Sequence, residues 1–196
     1  MIHEPENLNE LLEGFLSGED GKTNALIAFF YKYVYNNCYK LVLDSDSASD
    51  LTQDSFIRAY KYKETYNKSY KFSNWLLKIS TNACMDFLKQ RKKDRVRLVY
   101  IESIEAEVGG ISKLKKYLID EKFECLMDEK FERELLESVI KLLPDIYRVV
   151  LILRFDSGFK YEEIAQMLNI PVGTVKFRIN RARRILTKLL VLAENN

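Results

Sequence analysis

The chain has 196 residues, 47% hydrophobic and 31% charged, and its 31 Lys or Arg against 29 Asp or Glu give a formal net charge of +2. Such a composition has apolar mass for one large core or two small ones, and it excludes nucleic-acid binding by global attraction, so any such contact must come from local charge clusters. One histidine, three cysteines without a CxxC pair and no Gly-rich phosphate loop exclude a structural zinc site and argue against catalysis, so no metal, no cofactor and no enzyme is expected. Seven Gly, three Pro and abundant Leu, Lys and Glu make all-α the expected fold class. The acidic N-terminus does not resemble a secretory signal, and "ALIAFFYKYVY" is short and broken by Lys32, so no membrane insertion is expected. Cys38, Cys84 and Cys125 are then expected as buried thiols in a reducing cytoplasm.

Apolar residues return every three or four positions over Leu8–Phe15 and Ala25–Val42, which predicts two helices. "DSDSASD" (Asp44–Asp50) is a run of turn and capping residues, with Asp50 or Ser49 as the expected N-cap of a third helix, Leu51 to about Lys63. Leu51, Phe56, Ala59 and Tyr60 form its apolar side. Asp50, Gln53 and Asp54 group on its first turns, where acids suit the helix dipole and also make an acceptor-rich patch. A polar, aromatic loop, "TYNKSYKFSN", leads to a fourth helix from Trp75 to about Lys89, which runs into the basic "KQRKKDR". Here Tyr60, Tyr62, Tyr66, Tyr70, Phe72 and Trp75 alternate with Lys61, Lys63, Lys68, Lys71 and Lys78. Aromatics so dense in a loop cannot all be buried. Interleaved with cations, they suit stacking of unpaired bases beside a charged track, while Trp75 and some tyrosines also suit a core.

Between Val96 and Glu132 the periodicity fades, the only Gly-Gly pair appears, and nine acids face six bases. That segment reads as a mildly acidic linker, giving an expected division into residues 1–95, 96–132 and 133–196. Periodicity resumes near Arg133 and is followed by expected helices at Ile146–Phe155, Tyr161–Leu168 and Val172–Leu192. "YEEIAQMLNIPVGTVKFRINRAR" reads as a helix-turn-helix, with Ile164, Leu168, Ile170, Val175 and Ile179 as its shared core and Ala165 small enough for a close crossing. Asn169 takes the left-handed corner that Gly often fills, and Pro171 suits the first turn of the second helix. Six Lys or Arg fall between Lys176 and Lys188 with no acid among them. Burying Val175, Ile179, Ala182 and Leu186 turns Gly173, Thr174, Phe177, Asn180, Arg181 and Arg184 outward, with Lys176, Arg178 and Arg183 on the flanks. This is a face for a DNA major groove, with Phe177 suited to a thymine methyl.

"DLTQDSFIRAYKY…YKFSNWLLKISTNACMDFLKQRKK" together with "LLPDIYRVVLILRFDSGFKYEEIAQMLNIPVGTVKFRINRARRIL" closely resembles the bacterial sigma-70 family, in particular its small extracytoplasmic-function group. The resemblance spans roughly residues 20–95 and 133–190, and it assigns Met1–Gly18 no meaning. It implies an all-α protein of two small helical domains, a sigma-2 bundle and a sigma-4 helix-turn-helix, joined by a linker. It also implies a sigma factor that binds core RNA polymerase through the clamp helices and flap of the large subunits. Asp50, Gln53, Asp54, Ile57 and Arg58 become candidate core contacts. Tyr66, Lys68, Tyr70, Lys71, Phe72, Asn74 and Asn82 become candidates for the −10 promoter element as melted single strand, with Arg91–Arg95 on adjacent duplex phosphates. Thr174, Lys176, Phe177, Arg178, Asn180, Arg181 and Arg184 become candidates for the −35 element as duplex. The implied partners are polymerase core, promoter DNA and an anti-sigma factor, and the implied location is the cytoplasm, on the nucleoid through polymerase. Phe177, where relatives often carry a small polar residue, prevents base preferences from being copied across. The competing reading is a helix-turn-helix operator-binding regulator that acts without polymerase core.

Overall fold

The computed structural model describes residues 5–91 and 139–194, with side chains described as far as residue 189. The expected linker 96–132, Cys125 and the basic run beyond Arg91 lie outside the described residues. Every regular element among the described residues is helical, in agreement with the all-α expectation. The chain divides into two compact units, Met1–Gln90 and Arg91–Asn196.

The first unit holds α1 (Leu8–Ser17), α2 (Asp20–Val42), α3 (Ser45–Lys61), a single 3-10 turn (Lys63–Thr65) and α4 (Phe72–Gln90). α2 is its axle, packed against α1, α3 and α4. The sequence makes it so: Leu26, Phe30, Val34, Cys38 and Leu41 recur at helical spacing and are all fully buried. α3 and α4 meet it through small residues, Ala48, Ser55 and Ala59 on one and Ser80 and Ala83 on the other, all buried. The buried hydroxyls of α3 and α4 find partners within the core. The Thr52 and Ser55 hydroxyls donate to the Ala48 and Leu51 carbonyls at 2.6 and 2.5 Å, and Asn37 Nδ2 donates to Ser80 Oγ at 3.1 Å. Cys38 and Cys84 are buried free thiols, as expected. A hydrogen bond with Cys38, and then burial, push the Cys84 thiol far above its ordinary pKa.

The corners are short. Gly18 ends α1 in the left-handed conformation (φ 86°), its N–H and that of Glu19 both donating to the Gly14 carbonyl. Leu43 ends α2 at φ 58°, an uncommon conformation for a branched side chain. The next residue, Asp44, already caps α3, its carboxylate accepting from the Ser47 N–H at 2.9 Å. α3 therefore starts at Ser45 rather than Leu51, because Ala48 is fully buried and extends the packed face by a turn and a half. Asp50 and Asp54 lie beyond the first turn, outside the range of the helix dipole.

In the second unit, α5 (Asp145–Leu151) runs directly into a π turn (Ile152–Asp156), where Ser157 N–H donates five residues back to Ile152. The expected Ile146–Phe155 helix is thus two kinds of helix in sequence. α6 (Tyr161–Leu168) and α7 (Val172–Glu194) follow. Val139, Leu143, Tyr147, Leu151, Ala182, Ile185 and Leu186 form a core cluster. Arg148 is 1% exposed; its guanidinium donates to the Leu143 carbonyl at 2.8 Å and to the Asp145 carboxylate, fixing the turn that launches α5. Such a pair is held by completeness of its hydrogen bonds, not by its charge alone.

Candidate nucleic-acid and partner interfaces

The α6–α7 corner is built from three residues. Asn169 adopts φ 51°, ψ 52°, the left-handed conformation expected of it, and Ile170 N–H reaches back to the Ala165 carbonyl at 3.1 Å. Pro171 directly precedes α7 and its carbonyl accepts from Thr174 and Val175, so its missing N–H costs nothing. The carboxylate of Glu163 accepts the Lys160 N–H at 2.7 Å and closes the start of α6. Ile164, Ala165, Val175, Ile179, Ala182 and Leu186 are buried as expected. Leu168 and Ile170 are only half-buried, and Met167 takes the core position instead.

On the outer side of α7, Lys176, Phe177, Asn180 and Arg184 are exposed, while Thr174, Arg178 and Arg181 are half-buried. Phe177 is 63% exposed. At about 100° per residue Thr174, Asn180, Arg181 and Arg184 all fall within about 60° of Phe177, so one face carries an aromatic ring, an amide and two guanidinium groups. Arg183 departs from expectation: it is buried rather than flanking, its carbonyl accepting from Thr187 Oγ1 at 2.9 Å. The net result is a basic outer face on α7, held by the α6–α7 corner, whose donor set suits a DNA major groove.

In the first unit, the loop between α3 and α4 is braced rather than loose. Asn67 folds it by accepting the Ser69 N–H on its side chain at 2.8 Å, and Tyr66 Oη donates to the Tyr70 carbonyl at 2.8 Å. These bonds leave the Tyr70 ring 69% exposed between exposed Lys68 and Lys71. Phe72, expected on the strand-facing side, is corrected by the fold. It is 2% exposed, and its ring meets Phe15, Phe30 and Tyr66 edge-on at 5.3–5.7 Å, so it is core. Tyr66 is half-buried against Phe72 and Trp75. Asn74 and Asn82 are half-buried and Lys78 is exposed; the three fall within about 80° on α4. The loop and α4 together present one aromatic face, amides and three lysines, a combination suited to unpaired bases and their backbone.

α3 carries a different surface. Asp50, Gln53 and Ile57 are exposed, and Asp54 and Arg58 are half-buried. Ile57 is 67% exposed, with Asp50, Gln53 and Asp54 on the neighbouring turns of the same helix. Arg58 Nε is 2.8 Å from Asp54 and its Nη1 is 3.8 Å from Asp86 of α4. An apolar anchor with a polar rim is the pattern of a protein contact rather than of nucleic acid, and the acids would repel phosphate. Sequence reading missed two further features: the parallel stack of Tyr31, Tyr35 and Tyr39 along α2, and the reach of α1 into the loop's aromatic cluster. The recurrence of Tyr every four residues was visible in the sequence; the docking of α1 was not.

Among the described residues no helix is long and apolar enough to cross a membrane. The family model of sigma-70 region 2 matches residues 26–94, and that of sigma-70 region 4 matches residues 133–186. The chain is 31% identical over 167 residues to the ECF RNA polymerase sigma factor SigW of Bacillus subtilis, covering 84% of this chain and 87% of that one. It is 30% identical over 166 residues to the ECF RNA polymerase sigma-E factor of Escherichia coli K12, covering 84% of each. Two solved structures share the fold. The sigma factor RpoE of Bartonella quintana, in complex with the anti-sigma factor NepR, has a TM-score of 0.55 at 22% identity, covering 86% of this chain and 96% of that one. CnrH, in complex with the cytosolic domain of CnrY, has a TM-score of 0.56 at 20% identity, covering 95% and 96%.

Proposed function

We propose this chain's function from one premise: it belongs to the sigma-70 family, in the extracytoplasmic-function group. As a sigma factor it directs transcription initiation, and it contributes recognition while the polymerase core performs the chemistry. The finer division of labour follows from the three faces. The helix-turn-helix reads the −35 element as duplex, with Thr174, Phe177, Asn180 and Arg181 on base edges and Lys176, Arg178 and Arg184 on phosphates. The α3–α4 loop holds the −10 element as melted strand. Tyr70 stacks on an extruded base, Asn74 and Asn82 hydrogen-bond base edges, and Lys68 and Lys71 follow the backbone. Extruding a base costs a few kcal/mol, roughly what one aromatic stack returns, so melting needs both the stack and the surrounding hydrogen bonds. Ile57, rimmed by Asp50, Gln53, Asp54 and Arg58, docks on the clamp helices of the polymerase core.

The observation that supports this reading is the coexistence of two unlike exposed basic faces, one per unit: a helix presenting Phe177 among arginines, lysine and amide, and a lysine-flanked, exposed tyrosine. An operator-binding regulator has use for the first and none for the second. The solved relatives, one held by an anti-sigma factor and one by the cytosolic domain of CnrY, support an equivalent protein partner for this chain, an anti-sigma factor. The test is transcription by purified core polymerase with this chain on templates carrying randomised −35 and −10 elements. Enrichment of one spaced pair of elements is expected. Failure to bind core, or tight selection of a duplex site without polymerase, would replace this reading with the operator-binding one.

A further inference from the structure

We propose that Phe15 of α1 is a positioning residue for the single-strand loop, pinning the loop's two ends together so that Tyr70 is presented in one orientation; this rests on the −10 reading above. Phe15 is 2% exposed and its ring meets two others edge-on: Tyr60 at 5.9 Å, in the last turn of α3, and Phe72 at 5.7 Å, the first residue of α4. These rings flank the loop on either side, Tyr60 where the chain leaves α3 and Phe72 where it enters α4. The backbone joins the same clasp. Lys63 Nζ donates to the Phe15 carbonyl at 3.3 Å while sitting 4.7 Å over the Tyr60 ring. From Phe72 the contacts continue outward to Tyr66 at 5.3 Å, whose hydroxyl holds the Tyr70 carbonyl. An unbroken series of ring contacts and one hydrogen bond thus runs from α1 to the backbone of the projecting tyrosine.

α1 lies before the residues matched by the region 2 model, which begin at residue 26. A loop whose ends are held loses less conformational freedom when a base stacks on it, so affinity for unpaired strand rises without a new contact to DNA. Phe15 touches no nucleic acid in this scheme and acts through Phe72 and Tyr66.

The experiment measures binding of holoenzyme, full-length chain with core polymerase, to a fluorescent single-stranded −10 oligonucleotide. Phe15→Leu keeps apolar bulk and removes the ring edges, and it should weaken oligonucleotide binding ~3–10-fold while core and −35 duplex affinities stay at wild-type values. Leu41→Ala is the stability control, since it opens a cavity about 16 Å along α2 from Phe30. It should lower the melting temperature yet leave oligonucleotide affinity within ~2-fold. Phe15→Met gives the same comparison if the leucine variant does not fold. Wild-type affinity in the Phe15 variants, or an equal loss in Leu41→Ala, would overturn the pinning role. A wild-type holoenzyme that fails to bind the oligonucleotide would overturn the −10 reading itself and the pinning role with it.

Discussion

Tyr70 and Phe72 are two positions apart and chemically alike, yet their surroundings assign them opposite tasks. Phe72 fills the core against Phe15 and Phe30, so Phe72→Ala should cost ~3–5 kcal/mol of folding stability, read by thermal or denaturant unfolding. Tyr70 projects into solvent, so Tyr70→Ala should change stability by less than ~0.5 kcal/mol while sharply reducing promoter opening, read by permanganate reactivity of −10 thymines. A large stability loss in Tyr70→Ala would make the loop structural. The same logic applies on α7. Arg181→Ala should weaken −35 duplex binding by ~1–3 kcal/mol if its guanidinium grips a base, and an unchanged affinity would remove it from the readout. Phe177→Ser should leave the fold untouched and relax selection at one −35 position, the position whose base methyl the ring covers, as measured by selection from a randomised −35 library.

At the level of elements, α1 depends on a glycine for its place. A Cβ on Gly14 would lie 2.3 Å from Lys22 Cβ, an atom fixed to the α2 backbone and unable to move aside. Lys22 also joins the helices electrostatically, its ammonium 3.4 Å from Glu10 and 3.2 Å from Glu19. Gly14→Ala should therefore push α1 off α2 and cost ~1–3 kcal/mol, seen as a lowered melting temperature. Gly21→Ala, where a new Cβ meets nothing within 4 Å, provides the comparison. Helix positions in this chain were legible because apolar residues recur at helical spacing and Gly18, Asn169 and Pro171 are strong punctuation. The start of α3 was not. Asp44, Ser49 and Asp50 are all good caps by type, and only the burial of Ala48 against the rest of the unit decides among them. The π turn was hidden for a similar reason, since "ILRFD" has the composition of ordinary helix and differs only in which carbonyl Ser157 reaches.

Over the whole molecule, the near-zero net charge conceals a division by face. α3 turns an acidic, Ile57-centred surface outward, whereas the loop, α4 and α7 turn outward lysines, arginines and amides. The α7 face could be read from spacing, with Phe177 and Asn180 outward, and so could the polar patch of Asp50 and Gln53. Ile57 and Tyr70 were singled out through the family resemblance, and their exposure came from the fold. Phe72 and Arg183 could not be placed correctly, because an aromatic at a loop–helix junction and an arginine at a helix flank gain or lose water only through packing that spacing does not encode. Leu43 shows what the fold leaves unoptimised. A left-handed leucine is tolerated between α2 and the Asp44 cap where glycine would fit without strain, so Leu43→Gly should raise stability by up to ~1 kcal/mol in chemical denaturation. The α2–α3 corner is therefore a ready starting point for a hardier version of the protein.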